Sequence, residues 1–539
     1  MRLPPRARVL AILVVAAILR TAWLDAVPPG FNYDHVYEGY DAYSVLLTGR
    51  DSYGVPYPLT FRSWGDYKPA VTGYSVVPFV MLHGLEEKAV RLAGVMYGVL
   101  GIASAYAFVA VVWGTWPADV VAIFLALSPM HIHLSRSSPD AIVVPFLLTT
   151  MLYHLHLVKL RSRHLVYAAV PGALLFYAYA VGKVVAPFLV VTALWRHRRR
   201  IARSRALVPA VAVFALLVLP QVAFQVTDPG TAEARFWQVS VFGPQARDNL
   251  VRTYPGLSGL PGQLLPVVGA ASNYLYYTLS GPLFRQVDSD AMGIPPFHRA
   301  LLPVHALLAL AGIWATARVS RRSPPAALLV VWLLLAPLPA SLTDQVTSHQ
   351  RLIVVLPLVH ILSARGLALA RKDRSVIALL CFGIVLSAAV EIQSYMIEYP
   401  CEEISLYNWR AGLGEAIRTA VLEARTEEQV VLTRNVQEGP IHAAFYTALD
   451  PSRYHAGGFD GSGLDVQGPI GSGPAVIVAT LMDLERKDEP DLRILAPGEQ
   501  GTRDDIVSVV PNVLYGRDVS PITNVERCGE DRYFVYRAR

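Results

Sequence analysis

Residues 31–38 read FNYDHVYE, so Asp34, His35 and Glu38 follow closely on an apolar N-terminal stretch. A carboxylate among aromatic rings can take a proton from a hydroxyl as a general base. Other titratable groups recur further along: Lys68 in GDYKPA, Arg91 in AVRLAGV, Arg136 and Asp140 in HLSRSSPDA, Lys183 in YAYAVGK, and His349 and Arg351 in DQVTSHQR. Two separated acids, Asp34 and Asp140, with several cations suit group transfer from a phosphate. One acid would deprotonate the acceptor while Lys and Arg neutralise the phosphate that leaves, Arg with bidentate contacts. A divalent metal bridging carboxylate and phosphate is the other option. No cluster in the sequence requires it, since the HIH at 131–133 sits at the end of an apolar run. Each residue also has a plainer reading. Lys183 and Arg351 can snorkel toward headgroups, Asp140 can cap a helix beside Pro139, and His349 can be a hydrogen-bonded structural residue. Asp34 can be a solvated loop acid, although Tyr33 and Tyr37 flank it.

The elements that must position these groups are membrane helices. Of 539 residues, 53% are hydrophobic and only 16% charged, against about 25% charged in ordinary soluble domains. Eleven stretches are long and apolar enough to be read as spans, near 8–25, 88–112, 117–134, 140–158, 164–180, 183–197, 205–225, 299–317, 325–342, 351–369 and 375–396. The net charge of +6 is concentrated in short basic clusters between them, such as KLRSR and RHRRRIARSR. That is the pattern of cytoplasmic loops, not of a nucleic-acid surface. Arg2, Arg6 and Arg8 place the N-terminus in the cytoplasm, and with no clear small-residue cleavage site after it the first stretch reads as an uncleaved span rather than a signal peptide. Alternation then brings Asp34, Lys68, Asp140, Lys183 and Arg351 to the outer membrane face and leaves residues 397–539 outside. The expected domains are therefore a membrane domain over 1–396, with large outer loops at 26–87 and 226–298, and an extracytoplasmic α/β domain over 397–539.

In that C-terminal part, 409–425 has helical periodicity, and 428–436, 474–482 and 531–539 read as strands. Three cysteines are too few for a disulfide framework. Cys381 lies in an apolar run, whereas Cys401 and Cys528 flank the C-terminal domain on its oxidising side, so a bridge between them is one reading and two free thiols the other.

GFNYDHVYEGYDAYSVLLTGRDSYG, GDYKPA, AVRLAGV and LSRSSPDA resemble the polytopic glycosyltransferases of the GT-C class. Within it they resemble the polyprenyl-phosphate-sugar-dependent branch, which includes protein O-mannosyltransferases and lipid A aminoarabinose transferases. The resemblance runs over residues 8–395 and is strongest over 28–100 and 130–145. It implies that Asp34 is the catalytic acid of the first outer loop, Lys68 the lysine facing the lipid phosphate and Asp140 the second outer acid. It makes Arg91 a structural or phosphate-facing arginine, and His349 and Arg351 the pair before an apolar span. Two departures stand out. Relatives have Asp-Glu where this chain has Asp34-His35, which weakens a metal held by paired acids and opens a role for Glu38. They also have Lys-Pro-Pro where Pro69 is followed by Ala70.

The resulting expectation is a plasma-membrane (inner-membrane) enzyme moving a sugar from a polyprenyl-phosphate donor to a lipid, glycan or protein acceptor, with inversion. Aromatic residues of NYLYYTLSGPLF (273–284) would wall the donor or form an interfacial belt. The alternatives are a flippase for lipid-linked sugars and a non-catalytic relative. A flippase would carry polar groups near the midplane and a repeat between halves, whereas here the charges gather at one edge. The Asp34-His35 departure keeps the non-catalytic reading open.

Overall fold

The computed structural model describes residues 4–63, 66–137, 139–195, 198–228, 236–279, 303–344, 349–425, 429–432, 439–456, 475–480 and 519–538. Up to residue 157 the chain runs through α1 (Pro5–Thr21), α2 (Tyr33–Thr48), the ribbon β1 (Thr60–Ser63) and β2 (Asp66–Pro69), then α3 (Ala70–His83), α4 (Glu87–Trp113), α5 (Thr115–Ala126), α6 (Pro129–Ser137) and α7 (Pro139–Leu157). There follow α8 (His164–Leu174), α9 (Ala180–Trp195), α10 (Leu207–Thr227), α11 (Ala246–Thr253), α12 (Leu265–Leu279), α13 (Pro303–Val319), α14 (Pro324–Leu335), α15 (Leu338–Ser341), α16 (Val355–Leu369) and α17 (Arg374–Ile397). The C-terminal part holds α18 (Leu413–Glu423), β3 (Gln429–Leu432), α19 (Gly439–Tyr446), α20 (Pro451–Ala456), β4 (Ala475–Thr480), β5 (Val519–Arg527) and β6 (Glu530–Ala538).

Every one of the eleven apolar stretches overlies a helix. By length and composition five helices among the described residues suffice to cross a membrane, or six with α5 and α6 taken as one span bent by 60°. Five more apolar helices are shorter, and one of them, α3, falls inside the expected outer loop 26–87. The protein is a polytopic α-helical membrane protein.

Two compact units emerge. The first comprises residues 1–24, 69–72 and 91–396. Its core joins α4, α5, α7, α9, α14 and α16, with Trp332 fully buried and its indole N–H donating to the Val354 carbonyl at 3.1 Å. In lipid such helices gain little from the hydrophobic effect and associate through close packing instead. At the α13–α16 crossing, a Cβ on Gly312 would collide with the Leu362 carbonyl, and one on Gly366 with the Leu308 carbonyl.

The second unit comprises residues 25–68, 73–90 and 397–539. Residues 25–68 and 73–90 are thus grouped with the C-terminal part. The reason is packing: α2 lies against α19 and α20, and Gly39 leaves room for the Phe445 ring. The sheet order is β3-β4-β6-β5, parallel between β3 and β4 and antiparallel elsewhere. Strands β5 and β6 join through Cys528 and Gly529, both at positive φ (55° and 83°), as a two-residue hairpin turn requires. Cys528 is disulfide-bonded to Cys401.

Candidate active site

In the second unit, Asp34 and Lys68 form an ion pair, Oδ1 to Nζ 2.9 Å. Local sequence sets both ends. Asn32 caps α2, its side-chain oxygen accepting the His35 backbone N–H at 3.2 Å, as a capping residue does. This places Asp34 in the first turn, where the helix dipole favours a carboxylate. Lys68 lies where β2 runs into α3, and Pro69 after it disfavours helical backbone at Lys68. The Lys68 side chain is 10% exposed and that of Asp34 30%. The cation is therefore buried while the acid remains reachable.

His35, adjacent to Asp34, is buried. Its Nδ1 lies against the Asn32 side-chain oxygen, and its ring packs 5.3 Å from Phe31 and 5.5 Å from Trp409. The ring belongs to the packing around the cap. Glu38, one turn on, is also buried. Among the described residues no three His, Cys, Asp or Glu side chains are grouped to hold a metal ion. The His35 Nδ1, held against the Asn32 side-chain oxygen, is taken up by the cap.

Sequence reasoning passed over Asp41 and Asp51. Asp41 accepts the Ser52 N–H at 2.8 Å, and Asp51 Oδ1 accepts those of Tyr53 (2.9 Å) and Val55 (2.8 Å). The second oxygen of each is buried without a hydrogen-bond partner. Burial, reinforced by the charge of Asp51, pushes Asp41 up to about 8; burial pushes Asp51 up to about 6. The sequence signal was two acids ten residues apart in a stretch too aromatic to be a solvated loop.

The first unit holds the other candidates. Arg91 is 1% exposed and donates to the Leu24 carbonyl just beyond α1, which gives it a structural position. Asp140 is half-buried in the first turn of α7 after Pro139, and Lys183 lies in the first turn of α9. Arg351 is in the short helix His349–Leu352, is 8% exposed, and has a buried Nη1 without a hydrogen-bond partner. Neither Lys183 nor Arg351 has a hydrogen-bond or ion-pair partner among the described residues. Of His349 only the backbone is described. A polar frame holds the chain leading to this segment. Asn273 donates to the Thr343 carbonyl at 2.6 Å, Tyr254 donates to Asn273 at 2.9 Å, and Asn249 donates to the Asp344 carboxylate at 2.6 Å. The frame draws on the segment 226–298; residues 280–284 of the 273–284 aromatic stretch lie outside the described residues.

Residues 67–224 match the family described as dolichyl-phosphate-mannose-protein mannosyltransferase. The structure superposes on ArnT from Cupriavidus metallidurans bound to undecaprenyl phosphate with a TM-score of 0.57 and 16% identity, covering 98% of this chain and 97% of that one. For the same protein in the apo state the TM-score is 0.55 at 14% identity, with 99% and 98% covered. The fold is that of the GT-C membrane glycosyltransferases. Among curated proteins no match was found.

Proposed function

We propose that this protein is an integral membrane glycosyltransferase that moves a sugar from a polyprenyl-phosphate donor to an acceptor hydroxyl on the outer face of the plasma (inner) membrane. Its N-terminus would lie in the cytoplasm. The observation that carries this reading is the 2.9 Å Asp34–Lys68 pair, an accessible acid on a buried cation. A donor phosphate competes with Asp34 for the Lys68 ammonium. As Lys68 turns to the phosphate, the Asp34 carboxylate is left to face the acceptor. The acceptor oxygen bonds to the anomeric carbon and its proton passes to Asp34. The bond from that carbon to the phosphate oxygen breaks, and the electron pair leaves on the lipid phosphate, whose added charge Lys68 compensates. Inversion follows from this single displacement. Lys183 and Arg351, cations without partners among the described residues, fit anion binding, and Asp140 fits orientation of a substrate.

Purified protein incubated with a radiolabelled polyprenyl-phosphate sugar and an extract of acceptor lipids, glycans and proteins tests this. Asp34→Ala is expected to lower turnover by about 10²- to 10⁴-fold with the protein still folded, and Lys68→Ala to raise the donor KM. Wild-type turnover in Asp34→Ala, or donor moved across a bilayer without being consumed, would refute the reading.

A further inference from the structure

The turn Trp409–Gly412 of the C-terminal segment is built against the start of α2. Gly30 has no space for a Cβ, which would meet the Trp409 carbonyl and lie 2.9 Å from the Ala411 Cα and N. The fully buried Trp409 ring lies 5.5 Å from His35, and its indole N–H donates to the Tyr399 hydroxyl at 2.6 Å, two residues before the disulfide at Cys401. On its other side, a Cβ on Gly412 would stand 2.9 Å from the Val525 side chain of β5. Within this clamped turn Arg410 adopts the left-handed backbone, φ 50°. That conformation strains a residue with a Cβ and is met more readily by Gly or Asn. The backbone therefore gives no reason for an arginine here, and the reason must lie in the side chain. Its guanidinium carbon stands 5.5 Å from the centroid of the Tyr33 ring, within cation–π range. Tyr33 is the residue before Asp34.

We propose that Arg410 is a positioning residue for Asp34, holding the first turn of α2 through the face of Tyr33. This rests on the reading of Asp34 as the base. In the resting protein Asp34 is also tethered by Lys68. Once Lys68 turns to a donor phosphate that tether is gone, and the Arg410–Tyr33 stack remains to keep the carboxylate on the acceptor hydroxyl. The C-terminal segment thereby contributes to the transfer step itself, 376 positions from the acid it orients.

The informative variant is Arg410→Gly, because glycine takes the left-handed backbone without strain. It is expected to melt at or above the wild-type temperature while kcat falls about 10- to 100-fold, the size of effect a misplaced group produces, with donor KM changed less than about twofold. Arg410→Lys, which keeps a cation over the ring, is expected to recover most of the turnover. Tyr33→Leu is expected to repeat the loss, and the double variant to be no worse than either single one. Wild-type kcat in Arg410→Gly, or losses that multiply in the double variant, would overturn the proposal. A readout free of catalysis separates this from failure of the base assignment: amide exchange over residues 33–36 should quicken about tenfold in Arg410→Gly. If Asp34→Ala turns over normally yet exchange quickens, the base assignment alone fails. Unchanged exchange removes the positioning role.

Discussion

Two sets of cations in the first unit look alike in the sequence and differ in the structure. Arg20, Arg91 and Arg136 are each at most 1% exposed and are consumed by the fold. Arg20 donates to the carbonyls of Ala16, Leu125 and Ala126 and meets His131 at 2.9 Å. Arg91 donates to Leu24, and Arg136 to Leu19 and Trp23. Together they satisfy carbonyls at the C-terminal end of α1 and at the α5–α6 break. Such groups cost several kcal/mol when left bare in an apolar medium. Lys183 and Arg351 have no such employment among the described residues, and Arg351 even buries an unpartnered nitrogen. The lesson is that burial alone does not mark a ligand-binding cation. What its donors already touch does.

That contrast can be broken experimentally. The largest effect is expected from Arg20→Leu, which takes the charged donor from the Ala126 carbonyl and from the Leu125 carbonyl, leaving the latter a 3.4 Å bond from the Ser128 N–H, at a cost of about 1–3 kcal/mol each. Folded yield and melting temperature should collapse, and a thermal melt near wild type would show that Arg20 is no structural cation. Next in size, Arg351→Ala should leave the melting temperature unchanged or raised, because it removes an uncompensated buried charge, while donor KM rises about 10- to 100-fold. Lys183→Met should act in the same direction and more weakly, since a point charge forms no bidentate contact. Isothermal donor titrations would read both, and destabilised protein with normal donor affinity would move these residues into the structural set.

The smallest effect extends the same test to acids. Unfolded, an aspartate ionises near 4, whereas folded Asp41 holds its proton to about 8. Between those values the unfolded chain binds fewer protons than the folded one, so this group takes stability away as pH rises. Asp41→Asn keeps an oxygen for the Ser52 N–H and removes the titrating group. Its melting temperature should match the parent at pH 5 and exceed it by about 2–4 °C at pH 8. A parallel pH dependence in parent and variant would show that Asp41 is not the titrating group.

Much of the helical frame could be read in advance, because apolar runs of span length have few alternatives. The ion pair of Asp34 and Lys68 brings together two residues singled out by type and context. The structure goes beyond the linear pattern where distance along the chain is large. The break between α5 and α6 comes at Ser128 before Pro129, a local signal hidden within a continuous apolar run. Strand β5, with Pro521 and irregular register near Thr523, lacks the apolar runs that marked β3 and β4. The engagement of His35 by Asn32 and Trp409 could not be seen from an Asp-His dipeptide, since one partner is three residues away and the other several hundred.

The glycine crossing of α13 and α16 bears on how defects in this protein should be sorted. Gly312 and Gly366 let each helix backbone rest directly on a carbonyl of the other, close enough for weak Cα–H···O attraction. Elsewhere along the seam the His305 and His360 rings meet at 5.1 Å and Arg365 donates to Thr316 at 2.8 Å, but at the two glycines shape alone decides the approach. Damage there would appear as scarce protein of normal specific activity, the opposite signature to that of a catalytic lesion.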